Sequence, residues 1–310
     1  MAQVVHNSRA GHRAFAGAGV LSSYVRTAVL MSALIALLAI GGRAVAGVQG
    51  MLAFGAIGVG LNFVMYWFSD RIALLAHRAQ EVSRAEAPTL FAIVERLTGR
   101  AGMPMPRIYL IPSASPNAFA TGRNPNHAAV AVTDGILQIL SERELEGVLA
   151  HELSHVRNRD VLIATIAAGV AGLISTLGHV LQWGLMFGGG SRTDNERGSG
   201  LAALAWIIVA PIIALLIQLA ISRSRELGAD SAGAALSGDP DALADALVTL
   251  EQSKTVRPYE FAGPATSHLF IVNPLRGGAA AALMGLFSTH PPTVERVRRL
   301  RAMSRGQLRG

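Results

Sequence analysis

The chain has 310 residues, of which 51% are hydrophobic and 15% are charged, whereas ordinary soluble domains carry about 25% charged residues. This composition excludes a disordered chain, and the hydrophobic residues lie in long uncharged blocks, which disfavours a single soluble domain. Cysteine is absent, so any metal has to be held by histidine and carboxylate. The formal net charge of +7 suits an anionic membrane surface. With 5% aromatic residues and no nucleic-acid-binding signature, the sequence predicts no nucleic-acid partner.

Four uncharged blocks are candidates to cross a bilayer, for which about 20 mostly apolar residues are needed. They cover residues 27–42, 44–69, 161–187 and 201–222. We therefore predict two transmembrane hairpins, 27–69 and 161–222. The first block has an alternative interpretation as a secretory signal, because Ala44-Val45-Ala46 resembles a small-residue cleavage site.

Arginine is concentrated outside these blocks. Residues 70–160 carry ten arginines and residues 223–310 carry ten more, whereas the short connections within the hairpins carry few. Because basic segments stay on the cytoplasmic side, these two segments and the N-terminal arm, residues 1–26, are predicted to be cytoplasmic. The last twenty residues hold six arginines and one acid, so the tail is predicted either to rest on an anionic lipid bilayer or to form a solvated basic helix.

The cytoplasmic segments carry the patterns of a folded domain. Helices are predicted from Pro88 to about Thr98, over Glu142–Arg157 with Ser141 as N-cap, and over Asp241–Ser253, and strands over Arg107–Pro112 and His127–Thr133. The predicted fold class is mainly α: four transmembrane helices and an α-rich cytoplasmic domain that contains a small β-sheet.

The pattern with the clearest chemistry is His151-Glu152-Leu153-Ser154-His155. Two histidines four residues apart lie on one face of a helix, so both imidazoles can reach one metal ion. The intervening Glu152 lies near the metal and can take a proton from water and return it to the leaving amine. The alternative is a structural histidine pair. The pattern favours a zinc protease with Glu152 as its general base.

A catalytic zinc site uses three protein ligands, so a third has to come from elsewhere in the chain. Glu226 is the candidate, because it follows the fourth block and two crossings return it to the side that holds His155. Asp230, one helical turn later, can accept a hydrogen bond from the second ring nitrogen of a ligand histidine. The alternative is a helix face on which both acids pair with Arg223 and Arg225.

Several motifs in a fixed order resemble one protein family. They are Pro116-Asn-Ala-Phe-Ala-Thr-Gly122, Leu149-Ala-His-Glu-Leu-Ser-His-Val-Arg-Asn-Arg-Asp160, Ser222-Arg-Ser-Arg-Glu226 with Ala229-Asp230, and Ser288-Thr-His-Pro-Pro292. The chain resembles the HtpX-type membrane zinc metalloproteases, gluzincins in a group that also contains the CAAX prenyl proteases. The resemblance implies a zincin-like catalytic domain, with one zinc ion per chain bound by His151, His155 and Glu226, and Glu152 as the base. It also implies a cytoplasm-facing site in a multi-pass protein of the bacterial plasma (inner) membrane, and a role in membrane-protein quality control.

Other residues have two interpretations each. Proteases that resemble this chain bind substrate along an edge strand, so Asn117, Ala118 and Phe119 are predicted to contact substrate, unless Asn117 only supports its own turn. His290 is predicted to stabilise the oxyanion or to occupy the open zinc position, unless it only marks a helix boundary. Asp160, with the arginines beside it, is predicted to mark the membrane border and brace the helix.

The function predicted from the sequence is a membrane-embedded zinc endopeptidase. Its predicted partners are membrane-protein or unfolded polypeptide substrates, cleaved on the cytoplasmic side as part of a stress response. The alternatives are a zinc-stabilised membrane scaffold or holdase that does not cleave, a transporter, and a prenyl-protein processing protease. The presence of Glu152 disfavours the scaffold, and the absence of charged residues within the four blocks disfavours the transporter.

Overall fold

The computed structural model describes residues 2–160, 225–253 and 291–307. Its helices are α1 (Ala2–Ala76), α2 (Pro88–Ala101), α3 (Asp134–Ile139), α4 (Glu142–Asn158), α5 (225–237), α6 (Pro240–Ser253) and α7 (Thr293–Ser304). Its strands are β1 (Gln80–Glu81), β2 (Arg107–Ile111), β3 (Ala118–Thr121) and β4 (Ala129–Thr133). The architecture is mostly helical with one small mixed sheet, as predicted.

Helix α1 is broken between the first two predicted spans. Ala46 and Gly47 leave helical geometry, and Gly47 has a φ of 62°, which glycine adopts without the strain that a Cβ would add. The arms on either side fold back on each other, since a Cβ on Gly42 would lie 2.3 Å from the carbonyl oxygen of Gly50. One helix among the described residues, Ala46–Phe68, is long and apolar enough to cross a membrane, and Met31–Arg43 is a shorter apolar helix.

The predicted second hairpin, residues 161–222, lies outside the described residues, and four transmembrane helices are therefore not confirmed. The prediction of four spans remains an expectation from the uncharged blocks. The described part of the chain thus contains a helical hairpin followed by the domain that carries the histidine motif.

The sheet has the strand order β1-β2-β4-β3. Strands β2 and β4 are parallel, and the outer strands β1 and β3 pair antiparallel to them. Buried residues of the sheet, including Ile108 and Val130, pack with Leu97 of α2 and Leu149 of α4 in one hydrophobic cluster. The two predicted strands are present, although β4 begins at Ala129 because residues Pro125–His127 form a 3-10 turn. Strands β1 and β3 and helix α3 were not predicted from the sequence.

Helix α4 runs through the centre of the domain. It begins with a capping box, in which the Ser141 hydroxyl accepts from the Glu144 amide and the Glu144 carboxylate accepts from the Ser141 amide. It ends where Arg159 takes the left-handed conformation, at a φ of 62°. Every residue from Gly147 to Val156 is buried, so the polar side chains of this part of the helix need partners inside the protein.

The basic tail contains α7, which packs against α6. Leu300 is fully buried and Arg296 is 1% exposed, while Arg301 pairs with Asp241 of α6 at 2.6 Å. The interpretation as a merely solvated helix is therefore wrong for this face of α7. Arg298 and Arg305 remain exposed, and contact of those residues with lipid stays a prediction.

Gly147 allows α4 to approach the start of α6 closely. A Cβ at this position would lie 2.6 Å from the backbone nitrogen of Leu243. We expect Gly147→Ala to lower the free energy of unfolding by about 1–3 kcal/mol, because the two backbones have to separate. Thermal unfolding in detergent measures the change. Gly99→Ala in α2 is the control, since a Cβ there meets nothing within 4 Å and alanine favours a helix. Equal stability of the two variants would contradict the prediction.

Candidate metal centre

The last two turns of α4 carry both histidines of the sequence motif. One helical turn separates His151 from His155, and their Nε2 atoms lie 3.2 Å apart. The rings are perpendicular, with an interplanar angle of 89°, and both residues are buried. The helix therefore presents two ring nitrogens to one point inside the protein.

Helix α5 brings Glu226 to the same point. Its Oε2 atom lies 3.4 Å from Nε2 of His151, and its Oε1 atom lies 3.4 Å from Nε2 of His155. Two ligand atoms bound tetrahedrally at zinc distances of about 2.0–2.1 Å are about 3.3–3.4 Å apart. The observed separations match this spacing, so His151, His155 and Glu226 form a cluster that could hold a metal ion.

A carboxylate lies behind each histidine. Asp230 Oδ1 is 3.0 Å from Nδ1 of His151, and Asp160 Oδ2 is 3.3 Å from Nδ1 of His155. Such contacts orient the rings so that both Nε2 atoms face the metal position. Asp230 lies where the sequence analysis placed it. Asp160 was predicted to brace the helix at the membrane border, but the turn at Arg159 directs it back towards His155.

A buried arginine from the tail completes the cluster. Arg296 of α7 donates from Nε and Nη2 to the Asp230 carboxylate, at 2.9 and 2.7 Å. Burial raises the pKa of Asp230, but the Arg296 guanidinium and His151 together outweigh burial and hold this pKa well below its usual range. Arg296 was not predicted from the sequence, because it is one of six arginines in the tail and no local pattern distinguishes it.

The same carboxylates determine the pKa values of the two histidines. Burial lowers the pKa of His151, but Asp230 and Glu226 outweigh burial and raise it above its ordinary value. Burial also lowers the pKa of His155, but the charge of Glu226 and the contact with Asp160 raise it to about 10. The cluster thus favours positive charge at its centre, and a bound cation would replace the ring protons.

Glu152 lies beside the cluster and contacts strand β3. Its Oε2 atom accepts a hydrogen bond of 3.1 Å from the Ala120 amide. Since neighbouring residues of a strand point their amides in opposite directions, the amide of Ala118 shares the direction of the Ala120 amide. The main chain of Asn117 points the other way, where it bonds with Thr133 of β4. Ala118 therefore lies on the edge of β3 that faces α4, and the Asn117 main chain joins the two strands.

Close packing holds α5 against α4 at the metal ligands. A Cβ on Gly233 of α5 would lie 2.8 Å from both N and Cα of His151. Only glycine lets the two helices approach this closely without displacement, and this approach brings Glu226 within reach of the histidines. The sequence analysis did not single out this residue. His290, predicted to contact the site, lies outside the described residues.

Comparison with known proteins identifies the family. The sequence profile of Peptidase family M48 matches residues 84–304, which include all three members of the metal cluster and Glu152. The chain belongs to peptidase family M48.

Proteins named Protease HtpX homolog are similar to almost the whole chain. The relative from Syntrophobacter fumaroxidans is 52% identical over 285 residues, which are 91% of this chain and 100% of the relative. The relative from Pyrococcus furiosus is 51% identical over 281 residues, 91% of this chain and 96% of the relative. The resemblance to HtpX-type proteases is thereby confirmed.

A solved structure supports the fold. The crystal structure of S. mikatae Ste24p matches with a TM-score of 0.50 and 18% sequence identity. The match covers 90% of this chain and 63% of that chain, so this chain spans less than two thirds of the length of Ste24p. At this identity the likeness concerns the fold alone.

Asp160 provides a test of how the metal cluster is supported. We expect Asp160→Asn to weaken zinc binding about 10- to 100-fold, because the carboxylate that orients His155 is replaced by a neutral amide. Titration of the purified protein against a zinc chelator of known affinity measures the change. Asp134→Asn is the control, since Asp134 is an exposed residue at the start of α3. Unchanged affinity in Asp160→Asn would show that this contact does not support the cluster.

Proposed function

We propose that the protein is a membrane-embedded zinc metalloendopeptidase. The observation that carries the proposal is the convergence of His151, His155 and Glu226 at tetrahedral spacing, with Glu152 beside them. Two histidines and one glutamate are a ligand set of catalytic zinc sites, which leave one position open for water or substrate. Membership of a peptidase family supports the same chemistry.

The chain's own residues provide the proton transfers of peptide hydrolysis. When bound, zinc acts as a Lewis acid that polarises the scissile carbonyl and lowers the pKa of water to about 7. Glu152 takes a proton from the attacking water and gives it to the leaving amine. The hydrogen bond from the Ala120 amide holds one carboxylate oxygen in place, so the other can accept that proton. Asp230 and Asp160 keep the histidine rings oriented.

Strand β3 is the proposed substrate-binding element. An extended peptide can pair with the edge of β3 that faces α4, with its main chain bonded to Ala118 and its scissile bond next to Glu152. Asn117 and Phe119 then position this edge through their pairing with β4. Such binding recognises the main chain of the substrate, so unfolded segments of many different sequences can be cleaved.

The proposed substrates are misfolded or damaged membrane proteins, cleaved on the cytoplasmic side of the membrane. Two observations support this proposal. The apolar helix Ala46–Phe68 ends only 84 residues before Glu152, and the domain that carries Glu152 is rich in arginine. The arginine distribution favours the cytoplasmic side for this domain. An active site close to the bilayer can reach loops that emerge when membrane proteins unfold.

Metal removal and substrate comparison test the proposal. The full chain, purified in detergent, is expected to contain about one zinc ion, to lose peptidase activity with a chelator and to regain it with zinc. Cleavage of a destabilised membrane protein is measured beside that of its stable parent and an unstructured soluble protein. A zinc-loaded protein that cleaves none of the three would overturn the enzyme proposal. Cleavage of only the soluble protein would overturn the proposed substrate class.

A further inference from the structure

A cavity of about 520 Å³ lies where the second arm of α1 meets the sheet. The end of α1 forms one wall, and the start of β2 and the connection between β3 and β4 form the other. Its volume is within the range of about 300–1,000 Å³ that small-molecule sites occupy. None of its lining residues belongs to the candidate metal centre, so the cavity is a separate feature of the molecule.

The cavity lies at the end of the apolar helix Ala46–Phe68. Phe63, Trp67 and Phe68, from the last two turns of this helix, line it and are 60%, 44% and 41% exposed. Amphipathic aromatic rings such as tryptophan are typical of the level of lipid headgroups. If the helix crosses a bilayer, the mouth of the cavity lies at that level.

Positive charge dominates the lining. Arg71, Arg107 and Arg123 contribute three guanidinium groups against the single carboxylate of Asp70, which pairs with Arg107 at 2.9 Å. In the part of the chain that the structure describes, no carboxylate lies within ion-pair distance of Arg71 or Arg123. These two cations lie over aromatic rings instead. Arg123 is 4.6 Å from the centroid of Trp67, and Arg71 is 6.0 Å from that of Phe68.

We propose that this cavity binds the headgroup of an anionic phospholipid. Guanidinium groups match phosphate oxygens with two parallel hydrogen bonds, and stacking on a ring leaves the N–H edges of Arg71 and Arg123 available for them. The net positive charge favours a headgroup with net negative charge over a zwitterionic one. The acyl chains lie along the exposed rings of Phe63 and Trp67. The inference rests on the proposed membrane location of α1 and is independent of the peptidase chemistry.

Native mass spectrometry of the full chain in detergent tests the proposal, with phosphatidylglycerol and phosphatidylcholine as probes. All proteins carry Glu152→Gln to prevent self-cleavage, and the count of retained lipids does not depend on activity. Failure of the proposed enzyme mechanism would therefore leave this test unaffected. The parent is expected to retain phosphatidylglycerol in preference to phosphatidylcholine. Arg71→Gln/Arg123→Gln is expected to bind phosphatidylglycerol about tenfold more weakly, because charge-assisted hydrogen bonds are lost.

Arg84→Gln/Arg96→Gln is the matched control, since it removes the same charge from two exposed positions that do not line the cavity. If Arg71→Gln/Arg123→Gln fails to fold, Arg123→Lys takes its place. Lysine keeps the charge but loses the paired hydrogen bonds, so this variant is expected to bind phosphatidylglycerol severalfold more weakly. Equal losses in the cavity variant and in the Arg84→Gln/Arg96→Gln control would assign the binding to net charge and overturn the proposal. Equal retention of the two lipids, or displacement by millimolar inorganic phosphate, would also overturn it.

Discussion

Glu152→Gln is expected to slow peptide hydrolysis by at least about 100-fold while the protein still binds about one zinc ion. The amide cannot take a proton from water, and the loss of a general base lowers kcat by about 10²–10⁴-fold. Glutamine keeps an oxygen that can accept the hydrogen bond from the Ala120 amide, so the geometry next to β3 is retained. Cleavage of an unstructured protein, measured beside the zinc content of the same preparation, provides the readout.

Glu142→Gln is the matched control for this variant. It changes the same residue type on the same helix, at an exposed position in the first turn. Its activity is expected to equal that of the wild-type protein. If Glu152→Gln cleaves as fast as Glu142→Gln, Glu152 is not the base. If the wild-type protein also binds zinc without cleaving, the non-cleaving scaffold becomes the better interpretation.

Arg296→Met is expected to cause a large loss of stability. It leaves the ionised Asp230 carboxylate buried without its guanidinium partner, which costs about 3–5 kcal/mol. For a domain of this size, that change lowers the midpoint of thermal unfolding by about 6–20 °C. Zinc binding is also expected to weaken, because Asp230 orients His151. Circular dichroism during heating and chelator titration measure the two effects.

Two further variants separate this explanation from a general effect of the tail. Arg298→Met removes an exposed arginine from the same helix and is expected to change the midpoint little. Asp230→Asn/Arg296→Met removes both charges and is expected to be more stable than Arg296→Met alone, because no unpaired charge remains buried. A double variant that is less stable than Arg296→Met would contradict the buried-charge explanation.

Local sequence patterns predicted the elements on which the site is built. The N-cap at Ser141 and the proline at the start of α2 identified two helices, and short runs rich in apolar and β-branched residues identified β2 and β4. Strand β3 has only four residues between turns, which is too short for a periodic pattern to be recognised. Its position beside Glu152 depends on pairing with β4 and on packing against α4.

Spacing along the chain and the order of its segments identified the residues of the proposed chemistry. Helical spacing places His151 and His155 on one face, and the even number of predicted crossings returns Glu226 to the same side as a candidate partner. These inferences depend on local geometry and on the order of segments, which a sequence contains. They led to a metalloprotease before any contact was known.

The residues that support this chemistry come together through packing and through a turn at a helix end. Asp160 reaches His155 because the chain turns at Arg159, and Arg296 reaches Asp230 from α7, which packs against α6. Gly233 is required because two helices approach at His151. Each of these contacts joins two elements by packing or by a turn at a helix end. Such contacts produce no periodic pattern in the sequence. The physical reason is that spacing specifies which side chains share a face, whereas packing specifies which faces meet.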